Sequence, residues 1–139
     1  MAFYKKIKQN GDNKWHPRAV TKGRPYTTDE VARELSEMSI VTRGDTYAVL
    51  MNLGAVLGKM MSTGRSVKLD GIGTFYYTCR SEGTGVNTPE EVSPEQITSV
   101  KVRFIPEYSR EQNGQVRERT LLSPNIEWVE ADEESGETR

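Results

Sequence analysis

The sequence predicts an α+β protein in which two helices precede a β-sheet. Three patterns indicate this class. Apolar residues recur at helical spacing between residues 27 and 64, and they alternate with polar residues from Val67 onward. A segment rich in Gly, Pro, Thr and Glu (residues 81–96) then separates two strand-like stretches. With 139 residues, of which 35% are hydrophobic, the chain has room for one domain with extensions.

Residues 1–26 are predicted to form a basic extension with β character. Phe3–Ile7 has the composition of a strand, and Asn10-Gly11 favours a hairpin turn leading towards Trp15. This extension contains seven basic residues and one acidic residue, whereas residues 127–139 contain six acidic residues and one basic residue. The asymmetry indicates either a basic face for a polyanion beside an acidic tail, or two ends that pair with each other or stay solvated.

Two helices follow, each with a capping signal. Thr27 and Glu30 have the spacing of a capping box, and apolar residues at 31, 35 and 38 continue a first helix of about three turns. Thr42–Asp45 repeats the cap, and a second helix of about five turns ends near Gly64. Its apolar stripe comprises Val49, Leu50, Leu53, Val56, Leu57, Met60 and Met61. So wide a stripe predicts burial against a second copy of the chain, with a larger intramolecular core as the alternative.

Alternation of apolar and polar residues predicts the later strands. It begins at Val67–Leu69, continues through Phe75–Tyr77, and is most regular at Val100–Phe104, before Pro106 stops the strand. Beyond this point we expect a helical turn over residues 107–112, a last strand over residues 126–129, and disorder over residues 130–139.

Gly71-Ile72-Gly73 has two interpretations, a phosphate-binding loop or a bend in the sheet. A dinucleotide-binding loop needs a third glycine and a helix that begins at once. Here the third position is Tyr76, and the chain continues as a strand. The pattern therefore predicts a bend with an architectural role.

Residues suited to catalysis or metal binding are few. Cys79 is the single cysteine and His16 the single histidine, so we expect neither an internal disulfide nor a histidine-based metal site. Nothing around these two residues indicates an activated nucleophile, and the acidic residues are scattered, so we predict no enzyme activity, cofactor, metal or small-molecule substrate. The absence of a long apolar run and of a secretory signal, with a lone cysteine, predicts a cytoplasmic protein.

The order of these elements resembles that of the bacterial histone-like HU and integration host factor family, most closely its divergent Bacteroidetes-type members with terminal extensions. The resemblance covers roughly residues 27–112 and includes two capped helices, GRSVKLDGIGTF (residues 64–75), a proline-containing excursion and a returning strand. It implies an intertwined dimer whose β-arms, here about residues 78–101, embrace the minor groove of DNA, with a proline at each tip wedged between base pairs. The dimer interface that it implies comprises Val49, Leu50, Leu53, Val56, Leu57, Met60, Phe75 and Phe104.

The arm is similar to the family's arm at only some positions. Arg80, Asn87 and Pro89 match the first arginine and the Asn-Pro wedge, with one residue inserted into the wedge. Gly83 and Val86 stand where the family has arginines, and the returning segment is acidic where the family is usually basic. These departures predict weaker DNA binding by this arm than by the family's arm.

Residues 65–104, which include the arm, contain five basic and five acidic residues. Neutralisation of phosphates supplies nearly all non-specific affinity for DNA. We therefore do not expect strong non-specific DNA binding by the arms alone, and the basic extension would have to contribute to the affinity. Bent or nicked duplex DNA should be preferred, because a wedge must unstack bases. The predicted DNA contacts are Arg80, Asn87, Pro89, Lys101, Arg103, Arg65, Lys68, Lys5, Lys6 and Lys8.

We therefore expect a basic extension (residues 1–26), an HU-like domain (27–112), and a C-terminal strand with an acidic tail (113–139). The leading hypothesis is a homodimeric, nucleoid-associated, non-enzymatic protein that binds and bends double-stranded DNA. A second hypothesis is a dimeric HU-fold scaffold or protein-interaction module that has lost strong DNA binding, and a third is a small enzyme. The sequence leaves open whether the partner chain is identical.

Overall fold

A computed structural model describes residues 1–110, 112–119 and 121–132, without the side chains of residues 116–119. Two helices lie in the chain between a β-hairpin and a series of further strands, which confirms the α+β class. The elements are β1 (Ala2–Lys8), β2 (Trp15–Val20), α1 (Thr28–Met38), α2 (Arg43–Met61), β3 (Val67–Leu69), β4 (Gly73–Ser81), β5 (Ile97–Pro106), β6 (Tyr108–Arg110), β7 (Val116–Arg119) and β8 (Trp128–Glu130). They form sheets of order β2-β1-β8, β3-β4-β5 and β6-β7.

The terminal sheet, β2-β1-β8, joins strands from both ends of the described chain. β1 pairs antiparallel with β2 and parallel with β8. The predicted hairpin is present, but its turn spans residues 9–14 and is not a tight turn at Asn10-Gly11. The amide of Gln9 donates to the carbonyl of Lys14 at 2.9 Å, and Asn13 adopts a φ of 57°. Asparagine tolerates this left-handed conformation better than most residues, which favours the longer loop.

Both helices begin at their predicted caps. Thr27 Oγ1 accepts a hydrogen bond from the amide of Glu30 (3.3 Å), and Glu30 Oε2 accepts one from the amide of Thr27 (2.7 Å). Arg24 donates to both carboxylate oxygens of Glu30, at 2.9 and 2.6 Å, and so fixes the segment that enters α1. Thr42 caps α2 by accepting from the amide of Asp45 at 3.2 Å.

The helical turn predicted for residues 107–112 is wrong. Residues 108–110 form β6, which pairs antiparallel with β7. The guanidinium of Arg110 lies 4.8 Å from the centroid of the Tyr108 ring. Side chains two residues apart share a face in a strand but not in a helix, so this contact favours the extended conformation.

The last predicted strand is confirmed as β8, beginning at Trp128. Glu130 lies within it, and the amide of Ala131 donates to the carbonyl of Tyr4 at 2.9 Å. Disorder was therefore wrongly predicted for these two positions, because pairing with β1 fixes their backbone. Residues 133–139 lie outside the described residues.

The bend at Gly71-Ile72-Gly73 connects β3 to β4 and is held by one residue beyond β5. Glu107 Oε2 accepts from the amide of Gly71 at 2.7 Å, and the amide of Glu107 donates to the carbonyl of Ile72 at 3.0 Å. Gly71 and Gly73 both have positive φ, 82° and 151°. The architectural interpretation is confirmed, because the amide that a phosphate would need already binds a carboxylate of the protein.

The isolated chain buries little apolar surface. Its accessible surface is 12,273 Å², whereas a compact monomer of 15.7 kDa is expected to expose about 7,300 Å². Among the described hydrophobic residues only Ala32 and Met61 are buried. On the apolar stripe of α2, the exposed fractions of Val49, Val56 and Met60 are 64%, 47% and 51%. For the described residues, the alternative of a larger intramolecular core is therefore wrong.

The first testable prediction concerns Gly73→Ala. A Cβ at this position would lie 2.2 Å from the carbonyl oxygen of Ile105 and 2.7 Å from the ring of Phe104, so β4 and β5 could not keep their spacing. We expect a loss of about 3 kcal/mol or more in the free energy of unfolding, measured by chemical denaturation. Gly71→Ala is the matched control, because its φ is also positive but nothing lies within 4 Å of the added Cβ. It should cost only about 1 kcal/mol, and equal losses for the two variants would contradict the packing explanation.

A second prediction concerns the α1 cap. Hydrogen bonds from Arg24 and from the Thr27 backbone lower the pKa of the Glu30 carboxyl from 4.5 to about 2. Since the folded-state pKa is lowered, the charged carboxyl stabilises the protein fully above 4.5, and this contribution is lost as the pH falls towards about 2. An NMR titration should place the Glu30 midpoint near the lower value, and Arg24→Ala should raise it. A midpoint near 4.5 in the unmodified protein would contradict the cap geometry.

Candidate nucleic-acid interface

The sheet β3-β4-β5 places four predicted contact residues on one face, three of them on the arm, which is formed by β4, β5 and the connecting residues 82–96. Thr78 pairs with Lys101 and Tyr76 with Arg103, and Arg80 belongs to the same alternate set of β4 residues. Lys68 on β3 pairs with Thr74, which also belongs to this set. Cross-strand partners lie on the same side of a sheet, so the four cations share a surface. We call this surface, comprising Lys68, Arg80, Lys101 and Arg103, the basic face.

The opposite surface of the arm is apolar and packs towards α2. Phe75 and Phe104 are cross-strand partners whose ring centroids lie 4.8 Å apart. The hydroxyl of Tyr77, on the same side, donates to the carbonyl of Gly58 in α2 at 3.3 Å. Because successive strand residues point to opposite sides, this packing turns the basic face away from the helices.

The cations of the basic face are available to an external anion. Lys68, Arg80, Lys101 and Arg103 are all exposed. None of them forms an ion pair with another residue of the described chain. The face is therefore a positively charged strip that no carboxylate of the described residues neutralises by an ion pair.

The five acidic residues of residues 65–104 lie outside the strands. Asp70 lies in the bend before β4, and the four glutamates lie in the connecting tip: Glu82, Glu90, Glu91 and Glu95. The equal numbers of acidic and basic residues thus conceal a basic shaft and an acidic tip. A count along the sequence could not show this separation, because it depends on strand register.

The predicted wedge lies within the tip. Asn87 and Pro89 are exposed, and Pro89 begins a short 3₁₀ turn, Pro89–Glu91, followed by a second at Pro94–Gln96. The structure does not bring the wedge residues onto the basic face. Their contact with DNA stays a prediction.

The remaining predicted contacts are separate from the basic face. Arg65 lies between α2 and β3, whereas Lys5, Lys6 and Lys8 belong to β1 of the terminal sheet. Lys6 Nζ lies 3.0 Å from Glu130 Oε1, and this hydrogen bond raises the pKa of Lys6. The pairing of the two ends, one of the two interpretations of the charge asymmetry, is therefore correct for this contact.

Sequence reasoning missed a concave surface on the terminal sheet. A groove of about 700 Å³ is lined by Tyr4, Lys6, Trp15, His16, Pro17, Ala19 and Trp128. The sequence could have indicated that Tyr4 and Lys6 share one side of the sheet, because they are two residues apart in a predicted strand. It could not have indicated that Trp128 lines the same groove, because this depends on a pairing between the two ends of the chain.

The described residues contain no cluster of three or more His, Cys, Asp or Glu side chains that could hold a metal ion. The imidazole of His16 is hydrogen-bonded to Asp12 Oδ2 at 2.7 Å, and Cys79 is exposed on the apolar side of the arm. Among the described residues, no helix is both long enough and apolar enough to cross a membrane.

Comparison with known proteins identifies similar sequences and folds. A family model described as "HU domain fused to wHTH, Ig, or Glycine-rich motif" matches residues 2–119. The fold is similar to that of a candidate DNA-binding protein from Bacteroides vulgatus ATCC 8482, with 15% identity and a TM-score of 0.52 over 75% of this chain. The match covers 40% of that protein's chain, so the present sequence spans less than half of its length. No match was found among curated proteins.

Proposed function

Since the chain belongs to the family of HU domains fused to wHTH, Ig or glycine-rich motifs, we propose that it is a non-enzymatic, nucleoid-associated protein that binds and bends duplex DNA as a homodimer. The candidate DNA-binding protein of similar fold supports DNA as the partner. The observation that chiefly supports the proposal is the basic face, with four exposed cations and no counter-ion among the described residues.

The basic face would bind DNA through its phosphates. Each phosphate neutralised by Lys or Arg releases condensed counterions, which makes affinity depend on salt with a slope of about −0.9 per contact. Within the described chain, none of the four cations of the basic face forms an ion pair that DNA would have to displace. Such contacts position DNA on the arm without reading its sequence.

The acidic tip would have a different role from the shaft. Glu90 and Glu91 follow Pro89 directly, and like-sign charge disfavours contact between this segment and phosphates. An exposed proline at the tip is suited to insertion between base pairs from the minor groove, which costs a few kcal/mol of unstacking energy. Bent or nicked duplexes, in which part of that cost is already met, are therefore the proposed preferred substrates.

The homodimer would supply the core that one chain lacks. The apolar stripe of α2 and the Phe75–Phe104 pair leave large hydrophobic side chains partly exposed in the isolated chain. Contiguous apolar surface of this extent is typical of an interface. The proposed interface comprises Val49, Leu50, Leu53, Val56, Leu57, Met60, Phe75 and Phe104.

A second candidate function is a dimeric scaffold that binds protein and has lost strong DNA binding. The acidic tip favours it, since the four tip glutamates oppose contact with any polyanion. The pairing of Lys6 with Glu130 also favours it, because it compensates part of the basic extension. DNA-binding measurements distinguish the two functions.

For DNA binding, the informative variant is Arg80→Ala combined with Lys101→Ala. We expect affinity for a labelled duplex to fall roughly tenfold or more near 100 mM salt, and the salt slope to decrease by between about two and four, because each substitution occurs twice in a dimer. Fluorescence anisotropy between about 50 and 200 mM salt measures both quantities. Nicked and intact duplexes titrated together test the preference for deformed DNA.

Glu90→Gln combined with Glu91→Gln is the matched control, because it also changes two charges on the arm. It should leave affinity unchanged or increase it, since it removes negative charge beside the DNA. Unchanged affinity and slope in the Arg80/Lys101 double variant would show that the basic face is not the DNA site. Absence of duplex binding by the unmodified protein at low salt would instead favour the scaffold function.

For the dimer, the informative variant is Val56→Asp, which places a charge on the apolar stripe of α2. Burying an unpaired charge at an interface is strongly unfavourable, so we expect loss of the dimer in size-exclusion chromatography with light scattering. Ala55→Asp is the matched control, because Ala55 is exposed and lies on the side of α2 opposite the apolar stripe. This variant should leave the measured mass of the dimer unchanged. The melting temperature of the unmodified protein should also rise with protein concentration. A dimer that survives Val56→Asp would place the interface elsewhere.

A further inference from the structure

The groove on the terminal sheet has an unusual composition for an exposed surface. Strand register places Tyr4, Lys6 and Lys8 of β1 on the same side as Trp15, the partner of Lys8, and Trp128, the partner of Ala2. Trp15 and Trp128 have exposed fractions of 67% and 53%. We call this surface the aromatic groove.

The dimensions of the aromatic groove suit an extended ligand. Trp128 lies opposite the first residue of β1, and Trp15 lies opposite the last, on the other side of that strand. At about 3.3 Å per residue along a strand and about 4.8 Å between strands, the two tryptophans are roughly 20 Å apart along a diagonal. Tyr4 and Lys6 lie between them. The groove is therefore a track with an aromatic ring near each end.

The charge around the aromatic groove favours an anionic ligand. On the groove side of the terminal sheet, strand register places two lysines of β1, Lys6 and Lys8, and one carboxylate of β8, Glu130. Lys8 is exposed beside Trp15, whereas Lys6 is held at the other side by Glu130. Exposed aromatic faces interleaved with lysines match the requirements of unpaired bases joined by phosphates.

We propose that the aromatic groove binds single-stranded nucleic acid, with bases stacked on Trp15 and Trp128 and the backbone contacted by Lys8. Bases in an intact duplex are already stacked on their neighbours, so their faces cannot reach these rings, and the groove is selective for unpaired strands. The proposal rests on the proposed function only in taking nucleic acid as the ligand. It concerns a surface separate from the arm, and sequence preference is not expected because every base has a π-face.

A proline-rich peptide is the competing ligand for an aromatic groove. Such peptides bind by packing proline rings against aromatic side chains and do not require surrounding cations. The exposed Lys8 beside Trp15 favours the polyanion. A peptide ligand is nevertheless distinguishable in the same assay.

Intrinsic fluorescence tests the proposal directly, because the two tryptophans of the chain both line the groove. Titration with oligothymidylate of about twelve nucleotides should quench the emission in a saturable manner at low salt. Anisotropy of the labelled oligonucleotide should show affinity roughly tenfold lower for Trp15→Ala and for Trp128→Ala. Tyr26→Ala is the matched control, because Tyr26 is an 86% exposed aromatic residue that does not line the groove.

Three results would overturn the proposal. The first is tryptophan emission that oligothymidylate leaves unchanged and a polyproline peptide quenches. The second is an affinity for oligothymidylate that neither tryptophan substitution changes. The third is conversion of the dimer to a monomer by Trp15→Ala combined with Trp128→Ala. The last would show that a second copy covers the groove. Binding of nicked duplex by the unmodified protein separates the two claims. Retained duplex binding without oligothymidylate binding in that protein overturns only this proposal, whereas absence of both overturns the proposed function as well.

Discussion

The structure depends first on apolar surface that one chain cannot bury. Hydrophobic burial is the dominant favourable contribution to folding, and here the described residues of a single chain enclose only Ala32 and Met61. The accessible surface exceeds that of a compact monomer of the same mass by thousands of Å². The helices and the arm sheet each have an apolar side, but one copy brings too few of these sides together. This deficit supports the proposed dimer, in which a second copy would cover the apolar sides that one chain leaves exposed.

The same strand register serves both stability and the proposed DNA contact. Pairing Phe75 with Phe104 on the side of α2 places Lys101 and Arg103 on the other side. A slip of one residue would reverse both sides, exposing the aromatic rings and turning the cations towards the helices. The bend at Gly71–Gly73, with Glu107 bound to its amide, fixes where β4 begins relative to the end of β5. A feature that resembles a ligand-binding loop therefore bears on the proposed DNA contact only indirectly, by setting the register of β4 and β5.

The sequence predicted most features that depend on neighbouring residues, and it failed chiefly where residues distant in the chain decide the structure. The caps of α1 and α2 were correct because Thr27, Glu30 and Thr42 act within one turn. The strands of the arm were correct because alternation is a local pattern. The tight turn at Asn10-Gly11 and the helical turn at residues 107–112 were wrong, and the parallel pairing of β8 with β1 was not predicted. The strand β6 and the pairing of β8 depend on partners elsewhere in the chain, whereas the loop at residues 9–14 depends on the left-handed conformation of Asn13. At the candidate site, residue types were predictable, but the separation of a basic shaft from an acidic tip required the register.

A formal net charge of −1 is compatible with DNA binding once paired and unpaired cations are distinguished. Arg24 is bound to Glu30, Arg43 to Asp29 and Lys6 to Glu130, so these cations serve the helix caps and the terminal sheet. The cations of the basic face have no such partner among the described residues. Charges separated by more than about 8 Å are largely screened at physiological salt. A phosphate on the shaft would therefore interact with the nearby cations far more strongly than with the distant charges that make up the net charge. The relevant quantity for this protein is therefore the placement of uncompensated charge, which strand register determines.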